Sequence, residues 1–168
     1  MFMNNMYLTK VKKDWYMKDF RILLKSNKDF WKMDNEKLKA ILIKINGNTN
    51  IQTLYSKHLD TNLNSNNNSY LEFSYTLKVE LELFRFVIPH FIDTYNLNSN
   101  YGESVCNYNF YFPKENPNFK DNSIKFGINC IDNKNYFKIN HIRINLENYN
   151  PKMHIEFWND LKLKLSEL

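Results

Sequence analysis

The sequence predicts an α+β fold: a helical N-terminal region, a mainly antiparallel sheet of about four strands, and a C-terminal helix packed on the sheet. Three observations carry this expectation. Residues 71–83 alternate without a break, with apolar Leu71, Phe73, Tyr75, Leu77, Val79, Leu81 and Leu83 between polar partners. Side chains on a strand alternate between faces, so this is the pattern of a half-buried strand. Asn150-Pro151 opens a segment in which Phe157, Trp158, Leu161, Leu165 and Leu168 share one helical face. Between the two halves, Asp60 to Ser69 is polar and rich in Asn, a loop composition that separates helical from strand-like patterning.

In chain order, residues 12–28 read as a helix with Tyr16, Phe20, Leu23 and Leu24 on one side. Lys18, Arg21, Lys25, Lys28 and Lys32 recur at steps of three and four and would line one basic stripe. Asp34 has the chemistry of an N-cap, and Met33 and Leu38 have the spacing of a hydrophobic staple. Leu38, Ile41, Leu42 and Ile45 form the buried face of this second helix. Asn46-Gly47 ends it, glycine being free to take a positive φ. Ile51, Leu54 and Tyr55 fit a third short helix over residues 49–58.

Residues 71–83 admit a competing helix, since Leu77, Leu81, Phe84, Ile88, Phe91 and Tyr95 follow helical spacing. The strand is preferred because the even-numbered polar residues scatter right round a helical axis, whereas a surface helix keeps one polar face. The phase flips at Phe84, through either a bulge or a change to helix with Pro89 in its first turn. Further strands are expected at 105–112, 123–131 and 136–146, the last with a bulge near Asn140 and His141. Asn150 is an N-cap and Pro151 the first residue of the final helix. A length of 168 residues predicts a single domain, with a helical part over about 1–60 and the sheet and last helix over about 70–168.

Composition limits the function. The many aromatics exclude a disordered chain. Cys106 and Cys130 do not make a disulfide framework and are expected as buried thiols. No apolar run has the length of a signal peptide or a membrane span, so a cytoplasmic location with no membrane partner is expected. Asn is so abundant that most copies read as polar filler. The formal net charge of +5 is uneven. Residues 1–60 hold 12 Lys and Arg against 6 Asp and Glu, a balance of +6, and the remainder hold 11 against 12, a balance of −1.

Catalytic patterns are scarce. Glycine occurs only at 47, 102 and 127, which excludes a glycine-rich phosphate loop, and no zinc-ligand spacing is present. His58, His90, His141 and His154 lie far apart and read as surface or satisfied core residues. Arg85 and His90 enclose four residues, and this Arg-x4-His pattern resembles the HEPN ribonuclease motif. The resemblance implies an Arg and a His flanking a scissile phosphate, with His90 in acid–base work. It covers six residues, and Phe86 and Pro89 depart from the family's pattern. Asp132-Asn133-Lys134 resembles half of a metal-dependent nuclease site, without an upstream acidic partner.

No catalytic residue, metal ligand or cofactor is therefore expected. By elimination the sequence fits a small non-enzymatic interaction protein that binds and inhibits or neutralises a specific protein partner, of the immunity-protein or phage-inhibitor type. Its aromatic excess suits an interface. The alternative is a nucleic-acid-binding protein using Lys18, Arg21, Lys25, Lys28 and Lys32 on the basic N-terminal helix, since Lys and Arg neutralise phosphates. The HEPN-like ribonuclease is the remote alternative.

Overall fold

A computed structural model describes residues 6–25, 35–58, 67–96, 98–99, 102–111 and 139–168. The elements are α1 (Lys10–Lys25), α2 (Asn35–Asn46), β1 (Ile51–Lys57), β2 (Asn68–Tyr75), a composite helix α3 (residues 77–95), the two-residue strands β3 (Asn98–Ser99) and β4 (Gly102–Glu103), β5 (Val105–Tyr111), β6 (His141–Glu147) and α4 (Pro151–Ser166). Among the described residues, the main sheet is antiparallel with order β1-β2-β6-β5, and β3 and β4 form a separate ribbon. The class is α+β, as expected, with α4 docked on the sheet.

Pairing register explains the core. Leu71, Phe73 and Tyr75 of β2 stand opposite Ile144, Ile142 and, on β1, Ile51, and all six are buried on one sheet face. That face takes Phe157, Trp158, Leu161 and Leu165 of α4, Leu38, Ile41, Leu42 and Ile45 of α2, and Phe20 of α1. Burying a large apolar side chain stabilises by about 1.5–3 kcal/mol, so this shared layer is the main source of stability. Asn150 caps α4 by accepting from the Lys152 amide at 3.0 Å, with Pro151 in the first turn as the sequence indicates.

Four sequence expectations need correction. The strand over 71–83 stops at Tyr75. Thr76 is fixed by Asn50, through its amide to the Asn50 carbonyl at 3.0 Å and its hydroxyl to Asn50 Oδ1 at 2.9 Å, and the chain then turns helical. The apolar alternation runs on past the strand, but Leu77 and Leu81 are exposed while Val79 and Leu83 are buried. The helix begins as a 3₁₀ turn, Leu77–Val79, and contains a π turn, Leu83–Val87, closed by the Ile88 amide on the Leu83 carbonyl. Pro89 accounts for that turn: in a regular helix its ring would strike the carbonyl four residues back, and the wider turn makes room.

The second correction is the expected short helix over 49–58, which is β1. The register slips between Thr53 and Tyr55, so Leu54 is an extra residue in a bulge. The bulge breaks the period of two and leaves Ile51, Leu54 and Tyr55 at a spacing that imitates a helix. The helical part therefore does not extend to residue 60. Third, β6 begins at His141. Asn140 stands outside the ladder and donates instead to the Met6 carbonyl at 2.6 Å. Fourth, Gly47 ends α2 without a left-handed φ, and the Gly47 amide simply completes the helix on the Ile43 carbonyl at 3.0 Å. The first helix opens at Lys10, with Thr9 Oγ1 accepting from the Lys12 amide, and residues 26–28 of its expected span lie outside the described residues. The expected strand 123–131, Asp34, Met33 and Cys130 lie outside the described residues. Cys106 is buried and free, its thiol pushed up to about 12 by burial.

Two buried histidines make stability depend on pH. His154 Nδ1 lies 2.6 Å from the Ser69 hydroxyl, and its Nε2 donates to the Asn148 carbonyl at 2.7 Å, an arrangement that the neutral ring satisfies. Burial lowers its pKa. His141 stacks on Tyr111 and donates to the Ile139 carbonyl. Burial pushes it down to about 4, with neighbouring Arg143 adding to the shift. The unfolded chain takes up these protons near pH 6.5, above the folded values. Stability is therefore complete above about pH 6.5 and falls as the pH drops towards 4. Glu72, whose pKa is raised by burial against the lowering effect of Arg143, contributes with the opposite sign. The denaturation midpoint should fall between about pH 6.5 and pH 4, and less so in His141→Gln. Superimposable profiles for the two proteins would contradict the assignment.

Candidate functional site

α2 and α4 pack side by side, each with one face in the core, and their adjoining flanks leave an open cleft of about 410 Å³. From α2 come Lys37, Leu38, Ala40, Ile41 and Lys44. From α4 come Ile155, Trp158, Asn159 and Lys162, and His58, just after β1, closes one end. Each wall covers eight residues of helix, a rise of about 10 Å. The floor is Leu38, Ile41 and Trp158, which belong to the core, whereas Ala40 and Ile155 are exposed on the rim. Ala40 is the one alanine in the chain. Its small side chain stands in the wall where a larger one would fill the space.

The electrostatics are one-sided. Among the described residues, the lining includes three lysines and no carboxylate. Trp158 is 2% exposed and packs edge-on against Phe157 and His58. Its indole N–H is buried without a hydrogen-bond partner among the described residues, and a buried polar group normally has one.

The structure presents Lys18, Arg21 and Lys25 exposed along the outside of α1, as the spacing indicates, while Lys28 and Lys32 lie outside the described residues. Beside them run Val11, Trp15 and Ile22, exposed, with Lys18 Nζ 4.9 Å from the centre of the Trp15 ring. The inner side of α1 holds Lys13, whose ammonium donates to the Ile51 carbonyl at 2.5 Å and to Gln52 Oε1 at 3.3 Å. Burial lowers its pKa to about 8. Lys13 therefore ties α1 to β1 and takes no part in the basic stripe.

Arg85 and His90 both lie on α3, which is helical where the sequence favoured a strand. Arg85 is exposed on the π turn. His90 has a neighbour that sequence separation concealed: Nε2 meets Asp160 Oδ2 of α4 at 2.7 Å, and Tyr95 donates to the same oxygen at 2.9 Å. Burial, followed by the bond to Asp160, raises the Tyr95 pKa. The trio joins α3 to α4. No group of His, Cys, Asp and Glu with metal-binding geometry occurs among the described residues, and Asp132, Asn133 and Lys134 lie outside them. None of their helices is long and apolar enough to cross a membrane.

No protein-family model, curated protein or solved structure matches this chain.

The cleft itself was not foreseen. Its signal in the sequence is Lys37, Ala40 and Lys44 at helical spacing beside the apolar stripe of α2, a pattern that also describes any solvated flank. Trp158 is both floor and core. Trp158→Ala should destabilise the fold by about 3–5 kcal/mol, read as a shift in denaturation midpoint. An unchanged midpoint would show that α4 is not held through this ring.

Proposed function

We propose that the protein is a small, non-enzymatic cytoplasmic interaction protein that binds and neutralises a specific protein partner, in the manner of an immunity protein or a phage-coded inhibitor. The observation that supports this is the cleft between α2 and α4. It is apolar at its floor, cationic at its rim and set on two rigid helices. An apolar trough on rigid elements, floored by a large aromatic, has the make-up of an interface hot spot. Partners of this kind bind by shape and burial and need no catalytic group.

One observation favours a second reading. Lys18, Arg21 and Lys25 are exposed on one helix with Trp15 beside them, which is suited to phosphates and a stacked base. The two readings differ in salt dependence, because log affinity for nucleic acid falls with log salt by about 0.9 per phosphate contact. A pull-down from the native host, washed at low and high salt with and without nuclease, separates them. One protein should stay bound in stoichiometric amount through both treatments, and also on the triple variant Lys18→Glu, Arg21→Glu, Lys25→Glu. Nucleic acid released by salt and lost in that variant would refute the proposal. The same preparation should not cleave RNA. Cleavage abolished by His90→Ala would favour the HEPN resemblance instead.

A further inference from the structure

We infer that the occupant of the α2–α4 cleft is an acidic amphipathic helix of the partner, about two turns long. The inference rests on the proposal that a protein is bound, and adds the chemistry and shape of the bound segment.

Shape comes first. Lys37 to Lys44 and Ile155 to Lys162 each advance about 10 Å along their helices, which is the length of two helical turns. The trough is open along its length, with Ile155 45% exposed on one lip and Ala40 exposed on the other. A small ligand in an open trough would leave much of its surface in water, whereas typical small-molecule sites bury most of theirs. A helix suits the opening, because its apolar stripe goes down and its polar face remains solvated. Ala40 lets that helix approach the α2 backbone closely.

Charge comes second. Lys44 stands on one wall and Lys162 on the other, with no acidic residue in the lining among the described residues. A helix carrying Asp or Glu along both borders of its apolar stripe would face a cation on each side. A basic helix would meet like charge on both.

The test places a photo-crosslinking amino acid at Ala40 or Asn159, both exposed, in the full chain, with irradiation in host extract and sequencing of the joined peptide. The expected product is a partner segment with apolar residues three and four apart, flanked by Asp or Glu. Ala40→Trp should fill the trough. Lys44→Glu with Lys162→Glu should repel the acidic borders. Each should weaken partner binding about tenfold or more, with circular dichroism and the denaturation midpoint unchanged because the altered side chains lie at the rim. Wild-type affinity in both variants would overturn the inference while leaving a protein partner in place. So would a joined segment that is basic, or one that belongs to residues 26–34 or 59–66 of this chain. Recovery of nucleic acid with no joined protein would instead overturn the proposal on which the inference rests.

Discussion

The arrangement of the whole molecule depends on Asn46, the last residue of α2, and the four residues between α2 and β1. Asn46 receives the Thr53 amide at 2.8 Å and donates to the Thr53 hydroxyl at 2.7 Å, so the end of α2 is locked to β1. Asn48 donates to the carbonyls of Leu165 and Leu168 at 2.8 and 2.9 Å and so satisfies the last turn of α4. Asn50 holds Thr76 and marks where β2 must stop. A helix end leaves four carbonyls without partners, and leaving a buried one unmet costs about 1–3 kcal/mol. One short turn thus fixes α2 against the sheet, closes α4 and ends the central strand. The two walls of the cleft are the two helices that this turn holds.

α4 is held at three depths, each by a polar bond that apolar packing alone would not specify. His154 binds Ser69 of β2 near its start, Asp160 binds His90 and Tyr95 of α3 at its middle, and Asn48 binds its end. These bonds fix its rotation. With 154, 157, 161 and 165 turned inward, 155, 158, 159 and 162 fall along the flank facing α2. The His90–Asp160–Tyr95 trio forms a joint between α3 and α4. The π turn has a similar standing: Pro89 requires it, and it lets α3 keep Val79, Leu83, Val87 and Phe91 buried on either side of the irregularity.

The class of the fold was legible because its strongest signals are local. The Asn150-Pro151 start, the apolar face of α4 and the alternation through Tyr75 each follow from backbone geometry over a few residues. The failures occur where a distant residue decides. Nothing within 71–83 shows that Asn50 will end the strand at Thr76. A bulge at Leu54 turned a strand into an imitation helix. The asparagines treated as filler include the three that organise the molecule, because an amide's role depends on what the fold places opposite it. His90 read as isolated for the same reason: Asp160 is seventy residues away in sequence. A cleft is still harder to read, since it depends on what two helices fail to fill.

The distribution of charge narrows the class of partner. The basic excess of the N-terminal third appears on the outside of α1 and again, through Lys37 and Lys44, at the cleft. Lys162 extends it across to α4, a segment of the other, near-neutral part of the chain. Two separate elements thus present the same sign to one trough. An inhibitor that occupies the basic cleft of a nuclease would need the reverse. A long-range field of this sign speeds encounter with acidic surfaces and slows encounter with basic ones, and at contact the lysines penalise a mismatched partner more than they reward a matched one. For the partner helix proposed above, affinity would come from the apolar floor of Trp158 and Ile41, and the cationic rim would decide which helix reaches it.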